Sequence, residues 1–391
     1  MTDPRALGVD ARLEARLVDL RRSIHREPEL AFKETRTADK LEAALKASGV
    51  HDVRRVAGTA VIGRIPGTVK RAPVVAVRGD IDALPITEET GLPFASEHAG
   101  VMHACGHDVH ATWAVGAAAL LAARPASGDV LVVLQPAEEI GRGAAAVLES
   151  GALDGVAAIF GGHVDRRFEL GQVVADVGPL AASADTFEIE LVGQGAHAAR
   201  PHEARDPIVA AAALVTAIQT IVARRLNPAT PGVVTVGQIS AGNAPNVIPD
   251  RASLKGTIRA VDAASRKLML AELHHLAKSV GEAHGVRATV VVPEGTPPLV
   301  NPETATTWGR EAVTRVLGKD ALVPLGFLNL AGEDFAFYLE RIPGCFLRIG
   351  AREPGGKAIP AHSPQFYAAE QSIFVGAAVL AECARIASDS R

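Results

Sequence analysis

Cysteine is scarce in this sequence, with three in 391 residues, at positions 105, 345 and 383. An odd, sparse set builds no disulfide framework and suits a reducing compartment, so a cytoplasmic location is expected. Aromatic residues make up only 4%, which argues against a surface that stacks nucleobases. Neither sign of charge dominates: 40 basic and 44 acidic residues leave a net charge of −4. With no basic tract either, a nucleic-acid partner is excluded. Long apolar runs are also missing. Residues 113–123 are apolar but too few and too rich in alanine to cross a bilayer. Residues 1–20 mix charges of both signs around no apolar core, so no secretion signal is expected.

What is present is a globular composition, 48% apolar and 21% charged. The length exceeds one ordinary core, so two domains are expected. Apolar spacing predicts amphipathic helices at 11–25 and 35–48. Strands follow at 61–65, 74–77, 130–134 and 157–160, with a buried helix at 113–123 and a short one at 143–149. The last three strands are continuous apolar runs of the kind buried on both faces of a parallel sheet. Alternating strands and helices of this type describe a layered α/β domain. The pattern changes near residue 183. Half-exposed strands at 186–191, 233–239, 252–258 and 287–292, with helices at 207–225 and 263–283, follow the order βαββαβ of a ferredoxin-like split unit. From residue 297 the chain returns to α/β, with helices at 302–317 and 368–386 and a strand at 345–349. The expected organisation is a discontinuous catalytic domain, 1–182 and 297–391, carrying an inserted ferredoxin-like domain, 183–296.

The densest chemistry lies in Val101-Met-His-Ala-Cys-Gly-His-Asp-Val-His-Ala-Thr112. His103, Cys105, His107, Asp108 and His110 are five possible metal ligands within eight residues, a density that core packing does not require. A thiolate beside an imidazole suits zinc, cobalt, nickel or manganese. Glu138 and Glu139 follow a buried strand. Adjacent carboxylates repel unless a cation or proton lies between them, so one could bind metal while the other acts as a general base. Asp80 and Asp82, one residue apart after another buried strand, could bind metal or orient ligand histidines from behind. His163 ends the third buried strand and His362 sits between prolines; either alone would be an ordinary histidine. In the inserted region His197 could polarise a substrate carbonyl, and Arg259 has the fork that clamps a carboxylate. The chemistry-bearing residues cluster just past the carboxyl ends of strands, where open α/β sheets bind ligands.

Taken together the motifs resemble one family. Arg78-Gly-Asp-Ile-Asp-Ala-Leu-Pro85, His103-Ala-Cys-Gly-His-Asp108, Gln135-Pro-Ala-Glu-Glu139, Gly195-Ala-His197, Asn246-Val-Ile-Pro249 and Gly332-Glu-Asp-Phe335 occur in order across nearly the whole chain. The sequence is similar to the aminoacylase and carboxypeptidase G2 superfamily of metallopeptidases. Within it, the nearest branch is the amidohydrolases that include hippurate hydrolases and auxin-amino-acid conjugate hydrolases. The resemblance implies a metallopeptidase-type catalytic domain, with a mixed sheet and flanking helices, and an inserted lid or dimerisation domain. It implies two divalent metal ions, zinc, manganese, cobalt or nickel, held by Cys105, His107, Glu139, His163 and His362. Glu138 would be the general base on a metal-bridging water. His197 would stabilise the oxyanion, reaching across from a second subunit in dimeric relatives. Asn246 and Arg259 would lie near the substrate carboxylate, and Asp82 would support the metal site.

The implied reaction is cleavage of the amide bond of an N-acyl amino acid. A dipeptidase or aminopeptidase of the same superfamily is the alternative, although no handle for a free amine is evident. A catalytically dead scaffold would lack a ligand or the base, and none is lacking. A redox role for Cys105 would need a resolving cysteine close by. A homo-oligomer, a dimer or a dimer of dimers, is expected. The chain departs from its nearest branch at Val109, at Trp113, and in the Val-Asp-Arg-Arg that follows His163, where a proline-containing segment is usual.

Overall fold

A computed structural model of the chain describes residues 3–390. Helices α1 (Ala11–Arg26) and α2 (Thr35–Ala47) lead into strands β1 (Asp52–Val56), β2 (Ala60–Ile65) and β3 (Val74–Asp80). Then come α3 (His107–Ala123), β4 (Val130–Gln135), α4 (Gly143–Glu149), β5 (Val156–Glu169), β6 (Val173–Val174) and β7 (Gly178–Ala181). The middle of the chain forms β8 (Asp185–Val192), β9 (Ala196–His197), α5 (Pro207–Ile218), β10 (Gly232–Ala241), β11 (Val247–Ile248), β12 (Arg251–Ala260), α6 (Ala263–His284), β13 (Arg287–Val291) and β14 (Leu299–Asn301). The remainder adds α7 (Glu303–Leu317), α8 (Ala336–Leu339), β15 (Gly344–Arg352) and α9 (Gln371–Asp389).

Two compact units result. The first comprises Met1–Gly178, Asn301–Phe327 and Asp334–Arg391, and the second Pro179–Val300 and Leu328–Glu333. Residues 328–333 were expected in the catalytic part. They fall in the second unit because the Ala182 N–H donates to Ala331 O at 3.1 Å, and because Gly332 packs on Ala184.

The first unit holds a seven-stranded mixed sheet in the order β1-β2-β4-β3-β5-β15-β6. Its centre, β4-β3-β5-β15, is parallel, and the edges are antiparallel. Successive side chains of a strand face opposite ways. Val75 and Val77 of β3, with Val130, Val132 and Leu134 of β4, join the main core beneath α3 and α9. Arg78 and Gln135 point the other way, to Asp334 and to Tyr338 of α8. Strand β5 runs far beyond the expected end at residue 160, so His163 lies within a strand. Its parallel pairing with β15, which continues through Gly350↔Asp165, supplies the backbone partners for that extension.

Helix α3 begins at His107, six residues before the expected start. Gly106 makes this possible: its φ of 92° is left-handed, and a Cβ there would come within 2.4 Å of Val164 Cγ2. Below the helix, a Cβ at Gly79 would come within 2.2 Å of His110 O, so β3 must carry glycine where α3 crosses it. Helix α9 is long and apolar enough to meet the length and composition of a bilayer span, contrary to expectation; 89% of that window is buried inside the protein. Its side chains pack against α3, α7 and the sheet.

The second unit holds a four-stranded antiparallel sheet in the order β10-β12-β8-β13. With α5 and α6 this is the βαββαβ arrangement. Phe187, Ile189 and Leu191 of β8 form its core with Leu214 of α5 and Met269 and Leu273 of α6. The helix expected at 207–225 is interrupted: α5 stops at Ile218, and Ile221–Arg225 is a π-helical turn. Thr216, Gln219 and Thr220 donate side-chain bonds to carbonyls of this stretch, a competition that loosens helices.

Candidate metal centre

One carboxylate organises the centre of the first unit. Asp82 is buried just past the end of β3. Its Oδ1 accepts the Glu138 N–H at 3.0 Å and lies 3.2 Å from His107 Nδ1. Its Oδ2 accepts the Glu139 N–H at 3.0 Å. The β3 end, the first turn of α3 and the segment after β4 are thereby locked together. Because His107 donates Nδ1–H to Asp82, its Nε2 faces the site. That Nε2 is buried and without a hydrogen-bond partner, as is Glu139 Oε1. The two atoms are 3.7 Å apart, and Glu138 Oε2 lies 3.9 Å from the same Nε2.

His163 and His362 complete the cluster. His163 Nδ1 donates to Val164 O at 2.7 Å, which leaves Nε2 3.2 Å from Cys105 Sγ. His362, in left-handed backbone with φ 66°, is anchored through its N–H to Ala104 O at 2.8 Å. Its Nε2 lies 3.3 Å from Glu139 Oε2. Two triads of donor atoms share the thiol, Cys105/His107/His163 and Cys105/Glu139/His362, each within 4.8 Å; Glu138 joins His107 and Glu139 in another group, and Asp80 and His110 join His107 in a further one.

The electrostatics of the cluster call for a cation. Burial alone would push His107 toward the neutral form, but the Asp80 charge and the Asp82 bond raise its pKa well above the ordinary value. Burial and the Glu139 charge push the Cys105 thiol well above its usual range. A bound cation reverses both effects and deprotonates a coordinating thiol. Thiolate, imidazole and carboxylate donors together, two of them with orphaned buried atoms, fit divalent metal.

Two of the residues crowded around Cys105, Asp108 and His110, have other duties. Asp108 accepts from Arg21 Nε at 2.6 Å and from His25 Nδ1 at 2.8 Å. His110 donates Nδ1–H to Asp80 at 2.6 Å and accepts the Val164 N–H at Nε2, 2.9 Å, so both its nitrogens are engaged. Burial pushes the pKa of His103 down to about 3, and it joins none of the donor groups. Asp80 is held from two sides: Oδ1 meets His110 and Oδ2 meets Arg78 at 2.5 Å. Trp113 stacks on His110 with ring centroids 4.4 Å apart, so this departure from the nearest branch backs the centre from within the core.

Two further supports come from distant parts of the chain. Glu34, buried on the approach to α2, accepts the Ala137 N–H at 3.0 Å and the Thr59 hydroxyl at 2.6 Å. Ala137 has a left-handed φ of 55°, a strained conformation for alanine that the Glu34 bond holds in place. Asp334 accepts from Arg78 and from Gln135 at 2.9 Å, and from the Ala144 N–H at 2.9 Å.

His197, Asn246 and Arg259 belong to the second unit. His197 pairs with Val247 in the two-stranded β9-β11 ladder, and the Ala198 N–H donates to Asn246 O at 3.0 Å. His197 Nδ1 accepts the Ala199 N–H at 3.1 Å, so in the neutral ring the proton sits on Nε2. Both His197 and Asn246 are exposed, and Arg259 is half-buried on β12.

His25 gives the support layer a pH dependence. Its Nε2 lies 3.2 Å from Glu88 Oε1, opposite the Asp108 bond, so each ring nitrogen faces a carboxylate. Burial opposes the charge, but Asp108 and Glu88 outweigh it and raise the pKa. A raised folded pKa stabilises fully below the unfolded value of about 6.5, and the gain is lost as pH rises through the folded value. Thermal unfolding of the chelated protein is therefore expected to show its largest deficit for His25→Asn below about pH 6.5. The deficit should shrink at higher pH; a deficit independent of pH would contradict this assignment.

Comparison with known proteins places the chain. The model of peptidase family M20/M25/M40 matches residues 76–386. The chain belongs to this family. N-acetyl-L-cysteine deacetylase of Bacillus subtilis (strain 168) is 40% identical over 380 residues, covering 97% of this chain and 89% of the relative. IAA-amino acid hydrolase ILR1-like 2 of Arabidopsis thaliana is 37% identical, covering 94% and 84%. Among solved structures, the Bacillus subtilis YXEP protein, described as a dinuclear metal binding peptidase of the M20 family, matches with a TM-score of 0.85. It is 35% identical and covers 96% of this chain and 99% of that one. The M20 chain described here is accordingly a hydrolase acting on carbon–nitrogen bonds, and its mixed sheet with flanking helices is the family's catalytic fold.

Proposed function

We propose that this M20 hydrolase cleaves the amide bond of N-acyl amino acids, releasing a carboxylic acid and a free amino acid, with two divalent cations. The observation that carries the reading is the Asp82 brace. One buried carboxylate fixes the backbones of Glu138 and Glu139 while turning His107 Nε2 toward both side chains. Cys105, His107, Glu139, His163 and His362 would hold the cations, in the two triads that share Cys105. Bound there, the cations supply Lewis acidity, polarising the scissile carbonyl and lowering the pKa of water toward neutrality.

Glu138 then has the chemistry of a general base. Its carboxylate takes a proton from water as the oxygen bonds to the carbonyl carbon, and returns it to the nitrogen as the C–N bond breaks. Asp82 keeps that carboxylate in place through the backbone. In the second unit His197 supplies an Nε2–H donor for the developing oxyanion, from the same subunit or from a partner in a dimer or a dimer of dimers. Asn246, beside it on the ladder, and Arg259 bind the substrate carboxylate; a guanidinium fork matches that group.

The description of YXEP as a peptidase favours a second reading, hydrolysis of unblocked dipeptides. The two are separated by testing N-acetyl amino acids, hippurate and two free dipeptides with manganese or zinc restored after chelation. Release of amino acid from the acylated compounds alone is expected. Cleavage of only the dipeptides would overturn the proposal in favour of the second reading.

A further inference from the structure

Arg166 lies on β5 three residues after His163, in the segment that departs from the nearest branch, and is 2% exposed. Its guanidinium reaches the chain on both sides of His362. Nη1 donates to Ala351 O at 3.2 Å and Tyr367 O at 3.1 Å. Nε and Nη2 donate to Lys357 O at 3.1 and 2.8 Å. Nη1 and Nη2 grip the two Glu353 oxygens at 2.9 and 3.2 Å. Cζ lies 4.1 Å from the centre of the Tyr367 ring, and the Tyr367 hydroxyl closes the set by donating to Glu353. Burial works against the Glu353 charge, yet Arg166 and Tyr367 hold its carboxyl at about 2.

The stretch that Arg166 grips contains no helix or strand between Arg352 and Gln371. It is also tied by the His362 N–H to Ala104 O, the Glu89 N–H to Pro364 O at 2.8 Å, the Ala369 N–H to Ala351 O at 3.1 Å, and Glu370 to Arg21 and Arg22, while Phe366 and Ala368 are buried in the main core with Ile359 packed against it. Among these hydrogen bonds none runs from residues 353–360 to the sheet. Those of Arg166 do, and they tie these residues to the strand that presents His163.

We propose that Arg166 is the positioning residue for His362, fastening the segment that carries it to β5 and so setting the affinity of the Cys105/Glu139/His362 triad without touching the metal. The inference rests on the two-cation reading above. A lysine cannot replace it, because a point charge cannot serve carbonyls on both arms of the loop and a bidentate carboxylate at once.

The test is cobalt(II) titration of the chelated protein, followed by absorbance, with hydrogen exchange of residues 353–367 in the metal-free state. The unaltered protein is expected to take up two equivalents. In Arg166→Lys the first is bound as before, the second about ten- to a hundredfold more weakly, the range for lost support behind a ligand, and residues 353–367 exchange faster. Glu353→Gln, a surface-side change that keeps the core arginine, shifts both readouts the same way by less. In a His362→Ala background, Arg166→Lys has no further effect on cobalt affinity, because the residue it positions is gone. Unchanged second-equivalent binding in Arg166→Lys, equal weakening of both equivalents, or a further loss in the His362→Ala background would each overturn the inference. Uptake of a single equivalent by the unaltered protein would overturn the two-cation reading itself, and the inference with it.

Discussion

Glu138→Gln is expected to lower kcat by about a hundred- to ten-thousandfold, the range that a positioned acid–base group supplies, while the protein binds the same number of cations. Glutamine keeps the shape of the side chain and cannot take a proton. The Glu138 N–H stays on Asp82, so the neighbouring Glu139 is undisturbed. Metal analysis and steady-state kinetics on the same preparation separate the two roles that the adjacent carboxylates play. A variant with near-parental kcat would show that another group takes the proton, and one that loses a cation would make Glu138 a ligand.

Asp82→Ala is expected to damage stability and metal binding together. Two partly buried backbone N–H groups lose their acceptor, each at up to about 1–3 kcal/mol, and His107 loses the bond that aims Nε2. Loss of such an orienting carboxylate weakens metal affinity by about ten- to a hundredfold. A lowered melting temperature in the chelated protein, combined with weaker cobalt binding, is the expected pair of results. Asp82→Asn should recover part of the stability, since its carbonyl oxygen still accepts an N–H. It should also recover part of the affinity, since an amide oxygen in the Oδ1 place still accepts from both the Glu138 N–H and His107, while the NH₂ opposes only the Glu139 N–H. If metal affinity in Asp82→Ala equals that of the parent, the brace plays no part in the site.

Much of the cluster was legible in the sequence because its donor residues sit on motifs at strand ends. Cys105, His107, Glu138 and Glu139 each occur beside a turn that follows or precedes an apolar run, and such turns converge on one edge of a parallel sheet. His163 and His362 became readable only through the family resemblance, since a lone histidine carries no local signal. The supporting layer was harder. Glu34 meets Ala137 across 103 residues, and Asp334 meets Ala144 across 190; no spacing rule reaches that far. The crowding around Cys105 gave no sign that Asp108 and His110 bond to Arg21, His25 and Asp80, groups on other elements. The early start of α3 was hidden by its polar first turn, whose side chains face buried partners where the apolar pattern would lead one to expect a loop. In the second unit the alternation of β8 was plain, while the break in α5 depended on side-chain bonds to its own carbonyls.

The central claim is that paired cations in the Cys105 cluster are required for amide hydrolysis. The most direct measurement is the rate of hydrolysis of an N-acetyl amino acid by chelated protein as manganese or zinc is returned stepwise. No turnover is expected in the chelated state, with a rate that climbs until two equivalents per chain are bound. Full activity after complete chelation, or a maximum reached at one equivalent, would contradict the claim.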